Sequence, residues 1–218
     1  MSKQIICIYP YDLTTNFLEP IYNILKTQSN FIDYRIDTTE GPEVNQMKEK
    51  ILKLNPENCI LFFLGHGCSN CLYGSPKNGE FIPLLTLQDL SLFCNYSGFI
   101  LACRSNEFLN NHICSYIAFG NMPTETSEII AERDFDLNYC KGIDDISIEI
   151  YKTSIVDIIS QTIRDCGAES LKNIYRIMIL FTNKRITEIL INKGHNYRRI
   201  ADLLCEWKKD IEYHDSKQ

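Results

Sequence analysis

Two uncharged apolar runs constrain this chain more than anything else in it: Cys59-Ile60-Leu61-Phe62-Phe63-Leu64 and Gly98-Phe99-Ile100-Leu101-Ala102. A strand with one wet face alternates apolar and polar residues. A strand that is apolar throughout must be covered on both faces, as the inner strands of parallel sheets are. Each run ends abruptly, the first at Gly65-His66-Gly67 and the second at Cys103-Arg104-Ser105. The expectation is a sheet enclosed by helices, with a histidine and a cysteine leaving it at two strand ends.

The rest of the chain fits that frame. Ile5–Tyr9, Phe31–Ile36 and Ser115–Phe119 read as further strands. Leu18–Lys26 and Glu43–Leu54 have helical spacing, and Leu84–Phe93 reads as a helix opened by Thr86. Strands alternating with helices need crossover connections, which favours a parallel arrangement. From Asp145 onward three helical stretches follow, Ile146–Ile163, Leu171–Asn192 (closed by Lys193-Gly194) and Tyr197–Tyr213, with no proline after Pro123. We expect one domain over residues 1–218, an α/β core at 1–145 with a helical portion at 146–218 packed on it.

Composition excludes several classes. A net charge of −6 argues against general nucleic-acid binding, and neither G-x-G-x-x-G nor G-x-x-x-x-G-K-[ST] is present. No apolar run approaches the roughly 18 residues that span a bilayer, so no membrane association is expected. The N-terminus is too short and strand-like for a secretory signal, and the expectation is a complete, cytoplasmic protein. Ten cysteines then read as buried thiols, ligands or nucleophiles rather than disulfides. Cys7, Cys59, Cys94, Cys114 and Cys205 sit in apolar runs and behave as small hydrophobes. Charge is uneven: residues 171–218 hold ten Lys+Arg against six Asp+Glu and are +4, which leaves −10 on the remainder. Such a basic tail is either a surface for an activating partner or a segment docked on its own domain.

His66 and Cys103 lie 37 residues apart, enough for a loop, a crossover helix and the next strand. If their strands are parallel neighbours, both emerge on one rim, where open α/β sheets collect their ligands. An imidazole there takes the proton of a thiol. Acyl transfer also needs donors aimed at the developing oxyanion. Gly67, lacking a Cβ, brings its N–H close, and the Cys103 N–H serves as a second donor. Arg104, beside the thiol, is expected to lower its pKa. Asp12, just past the first strand, lines the rim or neighbours a helix N-cap. The rival site is Cys68-Ser69-Asn70-Cys71, a C-x-x-C that starts a zinc site or a redox pair; no second C-x-x-C or H-x-x-x-H completes it. Neither metal nor cofactor is expected. His112, His195 and His214 read as surface or capping residues, and Asp134, Asp136, Asp144 and Asp145 as a solvated acidic loop.

The two strand ends resemble the caspase–separase–gingipain superfamily, which places His-Gly after one strand and Ala-Cys after the next. Leu84–Asp89 followed by Gly-Phe-Ile-Leu-Ala-Cys-Arg-Ser is most similar to the bacterial CHAT branch (caspase HetF-associated with TPRs), over roughly residues 5–120. The resemblance implies a caspase-like three-layer α/β/α sandwich with a mainly parallel sheet. It also implies a cysteine endopeptidase making limited, regulated cuts in a protein or peptide substrate through a thioester. Cys103 is then the nucleophile, His66 the acid/base and the Gly67 amide an oxyanion donor; Asp12, Leu101 and Arg104 border the substrate pocket. Leu101 stands where caspases carry Gln and metacaspases Asp, so the family's cleavage preference does not carry over, and no TPR-like repeat accompanies the domain. Members of this branch occur in bacterial antiviral defence or cell-death pathways, some beside a pore-forming, gasdermin-like substrate. The alternatives are a non-catalytic caspase-like or flavodoxin-like adaptor, and a small-molecule hydrolase or transferase with the same dyad.

Overall fold

The apolar runs become the inner strands of one sheet. The computed structural model describes residues 3–36, 42–76, 79–89, 95–110 and 115–216. Its first half runs β1 (Gln4–Pro10), α1 (Glu19–Lys26), β2 (Phe31–Ile36), α2 (Pro42–Leu52), β3 (Cys59–Leu64), β4 (Cys71–Tyr73), β5 (Pro83–Thr86) and β6 (Ser97–Leu101). It continues with α3 (Ser105–Leu109), β7 (Tyr116–Ala118), α4 (Thr126–Glu132), α5 (Asp145–Cys166), α6 (Leu171–Asn192), α7 (Tyr197–Lys209) and β8 (Glu212–His214). Six strands form a sheet of order β2-β1-β3-β6-β7-β8. The first five are mutually parallel and β8 runs antiparallel to β7. The hairpin of β4 and β5 stands apart.

Strand alternation explains the layers. Ile5, Cys7, Tyr9, Phe62, Phe99 and Leu101 pack on one face against α1, α5, α6 and α7. Ile6, Ile8, Leu61, Phe63 and Ile100 pack on the other against Val44, Met47 and Ile51 of α2 and Phe108 and Leu109 of α3. Every residue of β3 is buried, as its unbroken apolar run requires. The sheet is thus the middle of three layers. The basic C-terminal region docks on its own domain through Leu171, Ile174, Met178, Leu204 and Trp207. Among the described residues, no helix is long and apolar enough to cross a membrane.

Several expectations change. Leu84–Thr86, read as the start of a helix, belongs to a strand, Pro83–Thr86, that pairs with Cys71–Tyr73 and buries Leu84 and Leu85. Helical geometry begins only at Leu87, where Asp89 Oδ2 accepts from the Thr86 N–H at 3.0 Å, and residues 90–94 lie outside the described segments. The last helix stops at Lys209 instead of running to Tyr213. Ile211 continues the four-residue apolar spacing from Trp207, but pairing with the open edge of β7 wins over it. Asp144 and Asp145 do not belong to a free acidic loop. Asp144 caps α5 by accepting from the Ser147 N–H at 2.9 Å and meets His195 Nε2 at 2.9 Å. Asp145 accepts a hydrogen bond from the Thr126 hydroxyl. His214 of β8 stacks on Tyr116 of β7. Cys7 and Cys59 are buried and Cys205 is half-buried; His112, Cys94 and Cys114 lie outside the described residues.

Candidate active site

The carboxyl ends of four parallel strands converge on one rim. Asp12 follows β1, His66 follows β3, Cys103 follows β6, and the segment from Gly120 to Pro123 follows β7. The connections diverge between β1 and β3, the place where such sheets open a crevice.

Asp12 organises the turn after β1. Its Oδ1 accepts from the Thr14 N–H at 2.7 Å, the Thr15 N–H at 3.0 Å and the Thr14 hydroxyl at 2.6 Å, an Asx-turn. Its other oxygen, Oδ2, is buried and meets His66 Nε2 at 3.3 Å. Burial pushes the carboxyl pKa up, but bonds to His66 and Thr14 outweigh it and hold the group well below the usual carboxylate range.

The same network sets the tautomer of His66. Thr14 Oγ1 lies 2.6 Å from His66 Nε2. Threonine has one hydroxyl proton and gives it to Asp12, so towards the imidazole it accepts. Nε2 therefore carries the ring proton, and Nδ1 keeps the basic lone pair. Phe81 covers the ring, with centroids 4.5 Å apart.

The Cys103 thiol donates to the Met122 carbonyl at 3.3 Å. Burial pushes its pKa up to about 12, and the Glu128 and Glu132 carboxylates raise it while Arg104 pulls it down; the bond donated to the Met122 carbonyl holds the neutral thiol. Arg104 acts on the thiol in the expected direction, but its effect is outweighed. Its guanidinium is engaged by Glu132 at 2.7 Å, and burial of the sulfur is the larger effect. Arg104 takes a left-handed backbone, φ 54°, at the sharp turn from β6 into α3, and its N–H donates to the Gly120 carbonyl at 3.0 Å.

Gly67 packs against Ala102 and the backbone of Cys103. A Cβ there would lie 2.9 Å from Ala102 Cβ and 2.9 Å from the Cys103 carbonyl oxygen, so no larger residue fits without displacement. Hydrogen bonds from the Cys68 N–H to the Cys71 carbonyl and from the Tyr73 N–H to the His66 carbonyl bracket the Gly67–Leu72 bridge. That makes it a non-hydrogen-bonded pair, in which the glycine N–H turns away from β4. Among the described residues, neither the Gly67 N–H nor the Cys103 N–H donates to a protein acceptor.

Two cavities touch both His66 and Cys103. One, of about 20 Å3, is lined by Leu101, Leu18, Met122 and Tyr151. It has room for about one water. Leu101 is fully buried beneath it. The other is an open groove of about 360 Å3 bordered by Gly67, Cys68, Phe81, Arg104 and Glu132. Asp12, expected to border a substrate pocket, lines neither cavity, and its carboxylate meets His66 instead.

Thr14, the Met122 carbonyl and Phe81 were not expected from the sequence. Asp12-Leu13-Thr14-Thr15 after a strand does carry a turn signature that pointed at the first. A backbone carbonyl carries no residue-type signal. Cys68 and Cys71 face each other with sulfurs 3.5 Å apart. Among the described residues, no group of three or more His, Cys, Asp or Glu side chains converges as metal ligands do. The chain matches no protein-family model and no curated protein.

Proposed function

We propose that this chain is a caspase-like cysteine endopeptidase that makes limited cuts through a thioester on Cys103. The observation that carries the reading is the Asp12–Thr14–His66 network: it leaves Nδ1 as the base on the rim shared with Cys103. The mostly parallel three-layer fold and the two unpartnered amides support it further.

In this mechanism the thiol starts neutral. His66 Nδ1 accepts its proton as the sulfur attacks the peptide carbonyl, so the imidazole acts as a general base instead of resting as an ion pair. The Gly67 and Cys103 N–H groups receive the oxyanion. The C–N bond breaks as His66 returns the proton to the leaving amine. Water then attacks the thioester, giving up a proton to His66, and releases the acid and the free thiol. Asp12 keeps the imidazole oriented and stabilises its transient positive charge. The substrate lies in the open groove; the small cavity over Leu101 is too tight for a side chain. Activation by a partner would use the exposed basic residues Lys172, Arg176 and Lys184 of α6.

The high thiol pKa favours a second reading, a non-catalytic adaptor, because an adaptor needs no activated cysteine. Intact-mass labelling with a panel of peptidyl chloromethyl ketones separates the two. Adducts on wild type that vanish in Cys103→Ala and fall sharply in His66→Ala support the peptidase. Labelling that survives in Cys103→Ala would sink it.

A further inference from the structure

The hairpin between β3 and β5 carries a second pair of sulfurs that the proposed chemistry leaves unused. Ser69-Asn70 is a two-residue loop, closed by the Cys68 N–H donating to the Cys71 carbonyl at 2.9 Å. This sets Cys68 and Cys71 directly across from each other. Directly opposed residues in a hydrogen-bonded antiparallel pair have Cα atoms about 5.5 Å apart, inside the range a disulfide spans. The sulfurs already lie 3.5 Å apart. Rotation about the side-chain bonds closes the remaining gap without moving the backbone.

The two thiols are also unlike one another, as attack and resolution require. Cys68 is half-buried, borders the open groove, and accepts hydrogen bonds from Tyr73 Oη at 3.3 Å and the Asn70 N–H at 3.5 Å. Burial raises its pKa, but those bonds outweigh it and the net direction is down. Cys71 is buried beneath it, and burial, with the neighbouring Cys68 sulfur, pushes it up to about 11. The reachable sulfur is thus the one disposed to ionise, and its partner is shielded.

We propose that Cys68 and Cys71 form a reversible dithiol–disulfide site, oxidised by small hydroperoxides reaching Cys68 from the groove. The Cys68 thiolate attacks the peroxide and breaks its O–O bond. The sulfur becomes a sulfenic acid and the released oxygen leaves as water or alcohol. Cys71 sulfur then attacks Cys68 sulfur, and the hydroxyl departs as water with the Cys71 proton. The dithiol loses two electrons and the peroxide gains them. A dithiol reductant reverses the reaction. The site is independent of whether Cys103 is catalytic.

The test is peptide mapping of the full-length protein after mild hydrogen peroxide, with free thiols blocked before digestion. The expected result is a Cys68–Cys71 disulfide in wild type that disappears on treatment with dithiothreitol. Cys68→Ser should lose it, and Cys71→Ser should instead accumulate a dimedone-reactive sulfenic acid at Cys68. The wild-type map decides the matter even if Cys71→Ser folds poorly. Cys68 and Cys71 both remaining alkylatable while other cysteines oxidise would overturn the proposal. So would a wild-type sulfenic acid at Cys68 that never resolves.

Discussion

In the proposed mechanism Asp12 and Cys103 each make a separate prediction. The Asp12 carboxyl is held below its ordinary pKa in the fold, so its contribution to stability is fully present above about pH 4 and is lost as the pH falls further. Asp12→Asn should therefore flatten the acid limb of a Tm-against-pH profile. The same variant should slow chloromethyl-ketone labelling by on the order of 10²-fold, since an uncharged partner supports the imidazolium poorly. An unchanged labelling rate would remove Asp12 from the mechanism. Cys103 predicts a different pH curve. With its pKa pushed up to about 12, its thiolate fraction in the ligand-free protein should keep rising through pH 10. Iodoacetamide alkylation of Cys103 should follow, by about tenfold per unit, with no plateau near the ordinary thiol value of about 8.5. A plateau at or below that value would mean the free protein already holds an activated thiol.

At the scale of elements, the β3–β4 loop and the turn out of β6 are fitted to each other through Gly67. Gly67→Ala forces a methyl onto the Cys103 carbonyl, a backbone atom that cannot rotate away. The expected cost is about 1–3 kcal/mol of stability, read by denaturant unfolding, together with loss of Cys103 labelling. These strand ends were legible beforehand because nothing polar interrupts Cys59–Leu64 or Gly98–Ala102, so burial on both faces was the only reading. β8 was not, because Glu212-Tyr213-His214 has no strand signal of its own and exists through pairing with β7. Leu84–Thr86 was misread because a short apolar stretch beside Thr86 fits either period, and the partner strand that decides it is only three residues long. Within the site, His66 and Cys103 announced themselves by position. The Thr14–His66 contact joins residues 52 apart in sequence, and no local pattern encodes such a contact.

Over the whole molecule, the C-terminal segment is part of the sheet and not an appendage to it. β8 covers the edge of β7, pairing Glu212 with Ala118, Tyr213 with Ile117 and His214 with Tyr116. A chain ending at Lys209 should lower Tm and self-associate through the bared β7 edge, as thermal unfolding and light scattering after gel filtration would report. A truncated monomer of unchanged Tm would show that the strand is dispensable. The junction just before β8 reaches further. Asp210 packs on Gly120, where an added Cβ would come within 2.5 Å of it. Gly120 accepts from the Arg104 N–H, and Met122, two residues on, accepts from the Cys103 thiol. Contacts so distant in sequence form late, because the intervening chain must be ordered first. The surroundings of Cys103 should therefore be completed late, so that a half-folded chain carries the cysteine without the base and amide donors that the proposed mechanism uses.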